Sequence, residues 1–311
     1  MKLRAGVAGS GAMGRNHARV FSLLEGVELV AIYDQDKSRA QAVADEFGGV
    51  AMDSLDDFAE AVDAATVAVP TIAHRAVGCE LMEKGVHILM EKPIADSLDD
   101  ARALIETSQK CGKILQVGHI ERFNPVMREL EDRLNEPRFI EAHRLSPFPN
   151  RSIDIGVVLD LMIHDLEIIL HLVNSPVASV DAVGVAVMTS REDIANARIR
   201  FENGCVANVT SSRISPERMR KIRVFQGDCY LSLDYQEQSA GMYRMSDGQI
   251  EKVEVNVEKD EPLKLELASF VECAKLGATP EVSGQQGADA LDLALEITNL
   301  IHTSPAAASL D

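Results

Sequence analysis

Short apolar stretches alternate with amphipathic stretches through about the first 120 residues. The apolar stretches have the length of buried β-strands and occupy residues 3–8, 28–33, 65–69, 86–90 and 114–117. The stretches between them repeat apolar side chains at helical spacing and occupy residues 12–24, 37–47, 72–84 and 98–111. Strands that alternate with helices in this way form parallel sheets covered on both faces. Residues 1–119 are therefore predicted to be a Rossmann-type, doubly wound α/β domain.

The pattern changes in residues 120–311. A long apolar stretch at 157–173 predicts a helix, and helical patterns return at 262–276 and 284–302. Between these helices, turn-forming sequences separate seven predicted strands, at 177–189, 195–201, 204–211, 221–226, 230–234, 241–245 and 252–257. This succession predicts a second, α+β domain with a mostly antiparallel sheet.

Composition narrows the class of protein. Hydrophobic residues make up 46% of the chain, yet no run approaches the roughly 20 apolar residues of a membrane-spanning helix. The first residues lead straight into a strand and a glycine turn, without the apolar core of a secretory signal, so a cytoplasmic location is expected. The five cysteines are widely spaced and form no CxxC pair, which favours reduced thiols and no metal site.

The net charge of −18 also bears on which macromolecules the protein can bind. A surface this acidic repels nucleic acids and anionic membranes, so neither is an expected partner. A small anionic substrate would need a local cluster of basic side chains against this background.

A glycine-rich sequence follows the first predicted strand. Gly9, Gly11 and Gly14, with Ala12 and Met13 between the last two, fit the GxGxxG pattern. In a dinucleotide site the first glycine permits the turn, the second lets the backbone approach the pyrophosphate, and the third lets helix and strand pack closely. A plain glycine turn is the alternative, but the strand before the motif and the helix after it favour phosphate binding.

Asp34 ends the second predicted strand, 20 residues after Gly14. This is the spacing of the carboxylate that binds the ribose 2′-hydroxyl of NAD. A carboxylate there repels the 2′-phosphate of NADP, so NAD is the predicted cofactor. Lys37 and Arg39 lie close in sequence and leave NADP open as the alternative.

Lys92 follows the strand at 86–90, within Glu91-Lys92-Pro93. Ligands of open parallel sheets lie at the carboxyl ends of the strands, where a lysine can donate to a sugar hydroxyl. The alternative is a surface lysine before a proline turn.

Asp160 and His164 are four residues apart in the apolar stretch at 157–173, so they share one face of a helix. A histidine oriented by a carboxylate is a proton acceptor near neutral pH. A buried structural pair is one alternative. A metal site is another, although two residues supply only two ligands and HExxH is absent.

Together these motifs resemble the Gfo/Idh/MocA family of sugar oxidoreductases. The resemblance rests on the glycine motif, on Ala68-Val69-Pro70-Thr71 with His74, on Glu91-Lys92-Pro93, and on Asp160 with His164. It implies that Lys92, Asp160 and His164 are catalytic and that Thr71, His74 and Glu91 line the cofactor site. The resemblance also implies that residues 120–311 bind substrate and form oligomers. Members often pair through the exposed face of the second-domain sheet, which implies a homodimer or homotetramer.

Three further segments, at 118–125, 143–148 and 154–160, resemble the branch of the family that oxidises UDP-N-acetylglucosamine at C3. That branch implies a UDP-sugar substrate and a downstream aminotransferase. The expected substrate-binding residues are His119, Arg122, Asn124, Arg144 and Arg151, with arginines serving the diphosphate. For many of the arginines the alternative is a solvated surface position. An inositol or simple-sugar dehydrogenase and a non-catalytic, cofactor-sensing regulator remain the alternative functions.

Overall fold

The computed structural model of the chain describes residues 2–148 and 155–303. Arg151, one of the expected substrate-binding residues, lies outside the described residues. The chain divides into two compact units, which are described separately. The first comprises residues 2–123 and 261–289, and the second comprises residues 124–148, 155–260 and 290–303.

A parallel sheet forms the centre of the first unit. Its six strands within the described residues are β1 (Leu3–Ala8), β2 (Val27–Tyr33), β3 (Val50–Ala51), β4 (Ala64–Val67), β5 (His87–Glu91) and β6 (Leu115–Gly118). They lie in the order β3-β2-β1-β4-β5-β6, and every neighbouring pair is parallel. The strand order reverses between β1 and β4, which is where doubly wound sheets bind dinucleotides. The predicted Rossmann-type sheet is confirmed.

Helices accompany this sheet. They are α1 (Ala12–Leu23), α2 (Lys37–Phe47), α3 (Leu55–Ala61), α4 (His74–Glu83), α5 (Leu98–Cys111) and α8 (Pro262–Leu276). The side chains of Asp36, Ser54 and Ser97 cap α2, α3 and α5 by accepting a backbone N–H of the first turn.

Helix α8 belongs to the first unit although it comes late in the chain. Its residues Leu263, Leu267 and Phe270 are buried in the same core as Val7 and Phe21. Residues 261–289 therefore lie with the Rossmann sheet, whereas the sequence pattern places them with the second domain. Apolar periodicity predicts the helix but does not specify which core buries it.

The second unit contains an eight-stranded sheet among the described residues. Its strands are β7 (Phe139–Leu145), β8 (Val177–Val185), β9 (Ile194–Phe201), β10 (Val206–Ser212), β11 (Met219–Phe225), β12 (Cys229–Asp234), β13 (Ser239–Ser246) and β14 (Gln249–Val255). Their order is β14-β13-β12-β11-β7-β10-β9-β8. All neighbours are antiparallel except β7 and β10, which are parallel, so the predicted mostly antiparallel sheet is confirmed.

The helices of the second unit are α6 (Pro125–Glu131), α7 (Ile163–Val173) and the later part of α9 (Gly284–Thr303). A turn of π-helix, Val158–Met162, directly precedes α7. The apolar pattern predicts one continuous helix here, because a single wide turn leaves that pattern almost unchanged. Residues of this segment, of α9 and of the inward face of the sheet form one apolar core.

Four elements lie where the sequence pattern predicts none: β3, α3, α6 and β7. The strand β7 is central, and its inward positions are Ile140, Ala142 and Arg144. An arginine at an inward position breaks the apolar alternation by which the other strands are recognised. No helix in the described residues is both long and apolar enough to cross a membrane.

Candidate active site

The loop between β1 and α1 has the geometry of a phosphate-binding turn. Gly9 has a φ of +97°, and a Cβ there would lie 2.5 Å from the backbone of Ala68. A Cβ on Gly14 would lie 1.7 Å from the carbonyl oxygen of Gly9. A Cβ on Gly11, by contrast, would meet nothing within 4 Å. The fold therefore requires glycine at positions 9 and 14, whereas Gly11 leaves open space for a ligand at the N-terminus of α1, which fits a dinucleotide.

Asp34 lies beside this loop. Its Oδ2 accepts the backbone N–H of Ser10 at 2.6 Å, and its Oδ1 accepts that of Asp36 at 2.8 Å. The two nearby basic side chains are paired with carboxylates, Lys37 with Asp53 and Arg39 with Asp36. A carboxylate held against the glycine loop, with its basic neighbours neutralised, suits a free ribose diol better than a 2′-phosphate.

Glu91 and Lys92 lie at the carboxyl end of β5. The Glu91 side chain is largely buried, and its Oε1 lies 2.9 Å from Nε2 of His17 on α1. Its Oε2 accepts the backbone N–H of Lys92 at 3.2 Å. Gly118 of β6 is paired with Glu91, and a Cβ there would lie 3.2 Å from Glu91 Oε2. Glu91 thus supports the Lys92 backbone from inside the unit.

His119 and Arg122 follow β6 at the same edge of the sheet. Both are buried, His119 completely. Burial, followed by the positive charges of Lys92 and Arg122, lowers the pKa of His119 to about 3. The three predicted side chains Lys92, His119 and Arg122 therefore lie within electrostatic reach of one another, and this end of the sheet favours an anionic or hydroxyl-bearing ligand.

His74 is buried between two loops. Its Nε2 lies 3.0 Å from the carbonyl oxygen of Val69, and its Nδ1 lies 3.1 and 3.2 Å from those of Pro93 and Ile94. Burial lowers its pKa. The imidazole therefore joins the loop after β4 to the Lys92-Pro93 segment, whose peptide bond is cis. Thr71, also expected at the cofactor site, begins the short helical turn Thr71–Ala73 after β4.

Asp160 and His164 lie on the π turn and on the first turn of α7. Both are half-buried, whereas Val158, Met162 and Ile163 around them are fully buried. The acid and the imidazole therefore face away from the apolar core of the second unit. A π turn inside a helical segment is frequent at functional sites.

Two expected substrate residues have partners inside the second unit. Arg144 forms a bidentate pair with Asp165, Nε to Oδ2 at 2.8 Å and Nη2 to Oδ1 at 2.9 Å, and both side chains are buried. Asn124 caps α6 and donates from Nδ2 to the carbonyl oxygen of Tyr235 at 3.0 Å. These contacts give Arg144 and Asn124 supporting positions in the fold, and their binding of substrate stays a prediction.

Sequence reasoning missed His17, Asp165 and Arg213. Arg213 is fully buried, donates to Asp193 at 2.9 Å and donates from Nη1 to the carbonyl oxygen of Ile155 at 2.7 Å. It thereby holds the start of the segment that bears Asp160. Charged residues among apolar neighbours were the available signal, as for Asp165, which lies with His164 between Ile163 and Leu166. Among residues 2–148 and 155–303, no three His, Cys, Asp or Glu side chains are grouped as metal ligands.

Comparisons with known proteins agree with this geometry. Residues 3–119 match a family described as an oxidoreductase family with an NAD-binding Rossmann fold, and residues 128–228 match the GFO/IDH/MocA C-terminal domain. The chain is 35% identical to UDP-N-acetylglucosamine 3-dehydrogenase from Acidithiobacillus ferrooxidans, over 95% of this chain and 96% of that protein. A solved structure of that enzyme superposes with a TM-score of 0.93 over 97% of this chain and 98% of the other, at 35% identity.

A more distant relative is the NAD⁺-dependent scyllo-inositol 2-dehydrogenase of Bacillus subtilis. It is 27% identical over 96% of this chain and 94% of that protein. Family models match residues in both units, and the relatives match over nearly their whole length. The chain belongs to the Gfo/Idh/MocA family of NAD-binding oxidoreductases.

Proposed function

We propose that this dehydrogenase oxidises the C3 hydroxyl of UDP-N-acetylglucosamine to a ketone, with NAD⁺ as the oxidant. The observation that carries the proposal is the 35% identity to UDP-N-acetylglucosamine 3-dehydrogenase over 95% of the chain. The likeness therefore extends through the second unit, beyond the domain that every NAD-dependent relative needs. The inositol dehydrogenase covers as much of the chain but is 27% identical.

Each catalytic residue has a role in this reaction. His164 accepts the proton of the C3 hydroxyl, and Asp160 orients the imidazole. Lys92 donates a hydrogen bond to the same oxygen and stabilises its developing negative charge. The glycine loop and Asp34 would hold NAD⁺, which would supply the acceptor for the hydride of C3. Glu91 and His74 keep Lys92 in place through the contacts of its backbone and of the following residues.

The diphosphate of the substrate requires positive charge in a protein of net charge −18. Within the first unit, Arg122 and Lys92 supply a local positive field, which is strong enough to contribute to the lowered pKa of His119. We assign diphosphate binding to Arg122 and Arg151, because guanidinium groups bind phosphate oxygens in a bidentate manner.

A substrate panel tests the proposal. NADH absorbance is followed with UDP-N-acetylglucosamine, UDP-glucose, scyllo-inositol and free N-acetylglucosamine at equal concentrations. We expect kcat/KM to be at least about 100-fold higher for UDP-N-acetylglucosamine than for the inositol, since a lost charged contact costs about 1.5–3 kcal/mol and the diphosphate makes several. Preferential oxidation of the inositol would establish the alternative function, and no oxidation of any compound would favour a cofactor-sensing regulator.

Single substitutions test whether Lys92 and His164 catalyse the oxidation. Lys92→Ala and His164→Ala should each lower kcat about 10²- to 10⁴-fold, because both residues handle charge at the reacting oxygen. Lys110→Ala, a lysine in the last turn of α5, is the matched control and should leave kcat unchanged. Near-native rates in both site variants would contradict the assignment.

Two partner proposals follow from the same reaction. A 3-keto sugar carries a carbonyl that an aminotransferase can convert to an amine, so that class of enzyme is the expected consumer of the product. We also propose that two copies pair through the open face of the second-unit sheet, where Phe139, Phe225, Tyr230 and Tyr243 form a continuous row of ring contacts. A dimeric or tetrameric mass by light scattering is expected.

A further inference from the structure

A buried ion pair in the second unit joins the helix that carries His164 to the sheet. Arg144 projects from the inward face of β7, and Asp165 is the residue after His164 on α7. The relative exposure of the two side chains is 4% and 2%, and two parallel N–H···O contacts of 2.8 and 2.9 Å join them. Bidentate arginine–carboxylate pairs fix orientation as well as distance.

The pair joins the helix to the centre of the sheet at the residue next to the proposed base. Strand β7 lies between β11 and β10, so its backbone is held on both sides. The first turn of α7, by contrast, follows the wide π turn Val158–Met162, where the regular hydrogen-bond ladder is interrupted. A rigid strand therefore fixes the part of the helix whose own geometry is least regular.

Among the described residues of this unit, several charged side chains lie on the elements that carry or contact the segment of His164. Its own helical segment carries Asp160, Asp165, Glu167 and, a turn further on, His171, which is paired with Glu131. The described strand β10 carries no titratable side chain. Glu141 and His143 of β7 alternate with Arg144 and so lie on the opposite face of the sheet.

We propose that Arg144 and Asp165 form a positioning pair for His164, which fixes the helical turn that carries the imidazole against the sheet and places two opposite buried charges next to that turn. The catalytic meaning of the pair rests on the proposed function, in which His164 is the base. The electrostatic claim does not, because it concerns only the two charges and the adjacent ring. Arg144 touches no reacting atom in this scheme and acts through Asp165 and the helix.

The charges of Arg144 and Asp165 predict the direction in which each variant changes the pKa of His164. Asp165→Asn removes the negative member and leaves a guanidinium that cannot lose its proton in a protein. A buried like charge whose neighbouring carboxylate has been removed disfavours the imidazolium, so the pKa of His164 should fall by about one unit. Arg144→Met combined with Asp165→Asn removes both charges and should return the pKa to within about 0.3 unit of the wild-type value. Arg144→Met alone should leave the pKa unchanged or raise it.

The measurement is an NMR titration of histidine ring protons in the cofactor-free protein, with His164 assigned by its loss in His164→Ala. Asp193→Asn is the matched control. It removes the carboxylate partner of Arg213, another fully buried arginine. Arg213 contacts Ile155, nine residues before His164, so this change should shift the His164 titration much less. If Asp165→Asn does not fold, Arg144→Met carries the test. A fall in the pKa of His164 in Arg144→Met, no fall in Asp165→Asn, or no recovery in the double variant would overturn the proposal.

Kinetics then separate this inference from the proposed function. If His164 is the base, the acidic limb of the kcat/KM profile should move with the ring titration in each variant. A ring titration that moves as expected while the kinetic limb stays fixed would leave the positioning pair established and would remove His164 as the base. A merely structural pair would lower the rate in all variants without opposite or restored shifts.

Discussion

At the residue scale, we propose that Asp34 determines the choice between NAD⁺ and NADP⁺. Its carboxylate binds two backbone N–H groups and faces the glycine loop. Asp34→Ala should weaken NAD⁺ binding about 10- to 100-fold, because a hydrogen bond to a charged group contributes about 1.5–3 kcal/mol. NADP⁺ binding should change less, so the variant should prefer NAD⁺ over NADP⁺ by a smaller factor than the wild type does.

Calorimetric Kd values for both cofactors measure this effect. Lys37→Ala is the control, since Lys37 is paired with Asp53 and should leave the ratio of the two Kd values unchanged. An unchanged ratio in Asp34→Ala would mean that the ribose is recognised elsewhere.

His119 makes stability depend on pH. Its pKa is about 3 in the folded protein, against 6.5 as the ordinary value. The unfolded chain therefore binds a proton that the folded chain excludes, so the stabilising contribution is complete above 6.5 and is lost as the pH falls toward 3. Between pH 7 and 5 this one group should remove about 2 kcal/mol of the free energy of unfolding.

Urea unfolding of the wild type and of His119→Gln at both pH values measures that difference. The variant lacks the group, so its free energy of unfolding should fall less on acidification by about the same amount. Parallel losses in the two proteins would show that His119 titrates normally.

The positions of individual residues were predictable where a sequence motif depends on one local fold. Gly9, Gly14 and Asp34 have the positions that their spacing indicates. The surroundings of Arg144 were not predictable, because an arginine that binds a diphosphate and one that pairs with a buried carboxylate look alike in a sequence. Only the register of β7 against α7 distinguishes them.

At the scale of elements, the β1–α1 turn offers a matched pair of substitutions. A Cβ on Gly14 would overlap the Gly9 carbonyl at 1.7 Å, whereas one on Gly11 would meet no protein atom within 4 Å. Gly14→Ala should therefore lower both stability and NAD⁺ affinity. Gly11→Ala should leave the melting temperature within about 2 °C and still weaken NAD⁺ binding at least about tenfold, because the methyl group occupies the space of the pyrophosphate.

Thermal unfolding and calorimetry on the two variants check this contrast. Native NAD⁺ affinity in Gly11→Ala would mean that the phosphates do not approach position 11. A stable Gly14→Ala protein would mean that the turn can open without cost.

Element boundaries were predictable where apolar periodicity is uninterrupted. Helices α2, α5 and α8 begin and end at the residues that the pattern indicates. The π turn was not predictable, because its buried residues Val158 and Met162 also fit an ordinary helix. Strand β7 was missed because its third inward residue is the paired Arg144.

At the scale of the whole molecule, the order of the chain and the order of the units differ. Residues 261–289 return to the first unit after the second-unit sheet is complete. Helix α8 buries Leu267 and Phe270 in the same core as Phe21 of α1. The two classes of sheet could be read from the sequence, but the return of the chain could not, since two apolar cores are equally acceptable partners for one amphipathic helix.

The proposed reaction breaks the C3–H bond of the sugar. UDP-N-acetylglucosamine with deuterium at C3 is oxidised in the presence of NAD⁺, and the NADH formed is analysed by mass spectrometry. The NADH should carry one deuterium, because the hydride comes from C3, and the sugar nucleotide should lose that deuterium together with the hydroxyl proton. Unlabelled NADH from the deuterated substrate would contradict the proposed reaction. So would a lack of NADH from UDP-N-acetylglucosamine when the same protein forms NADH from scyllo-inositol.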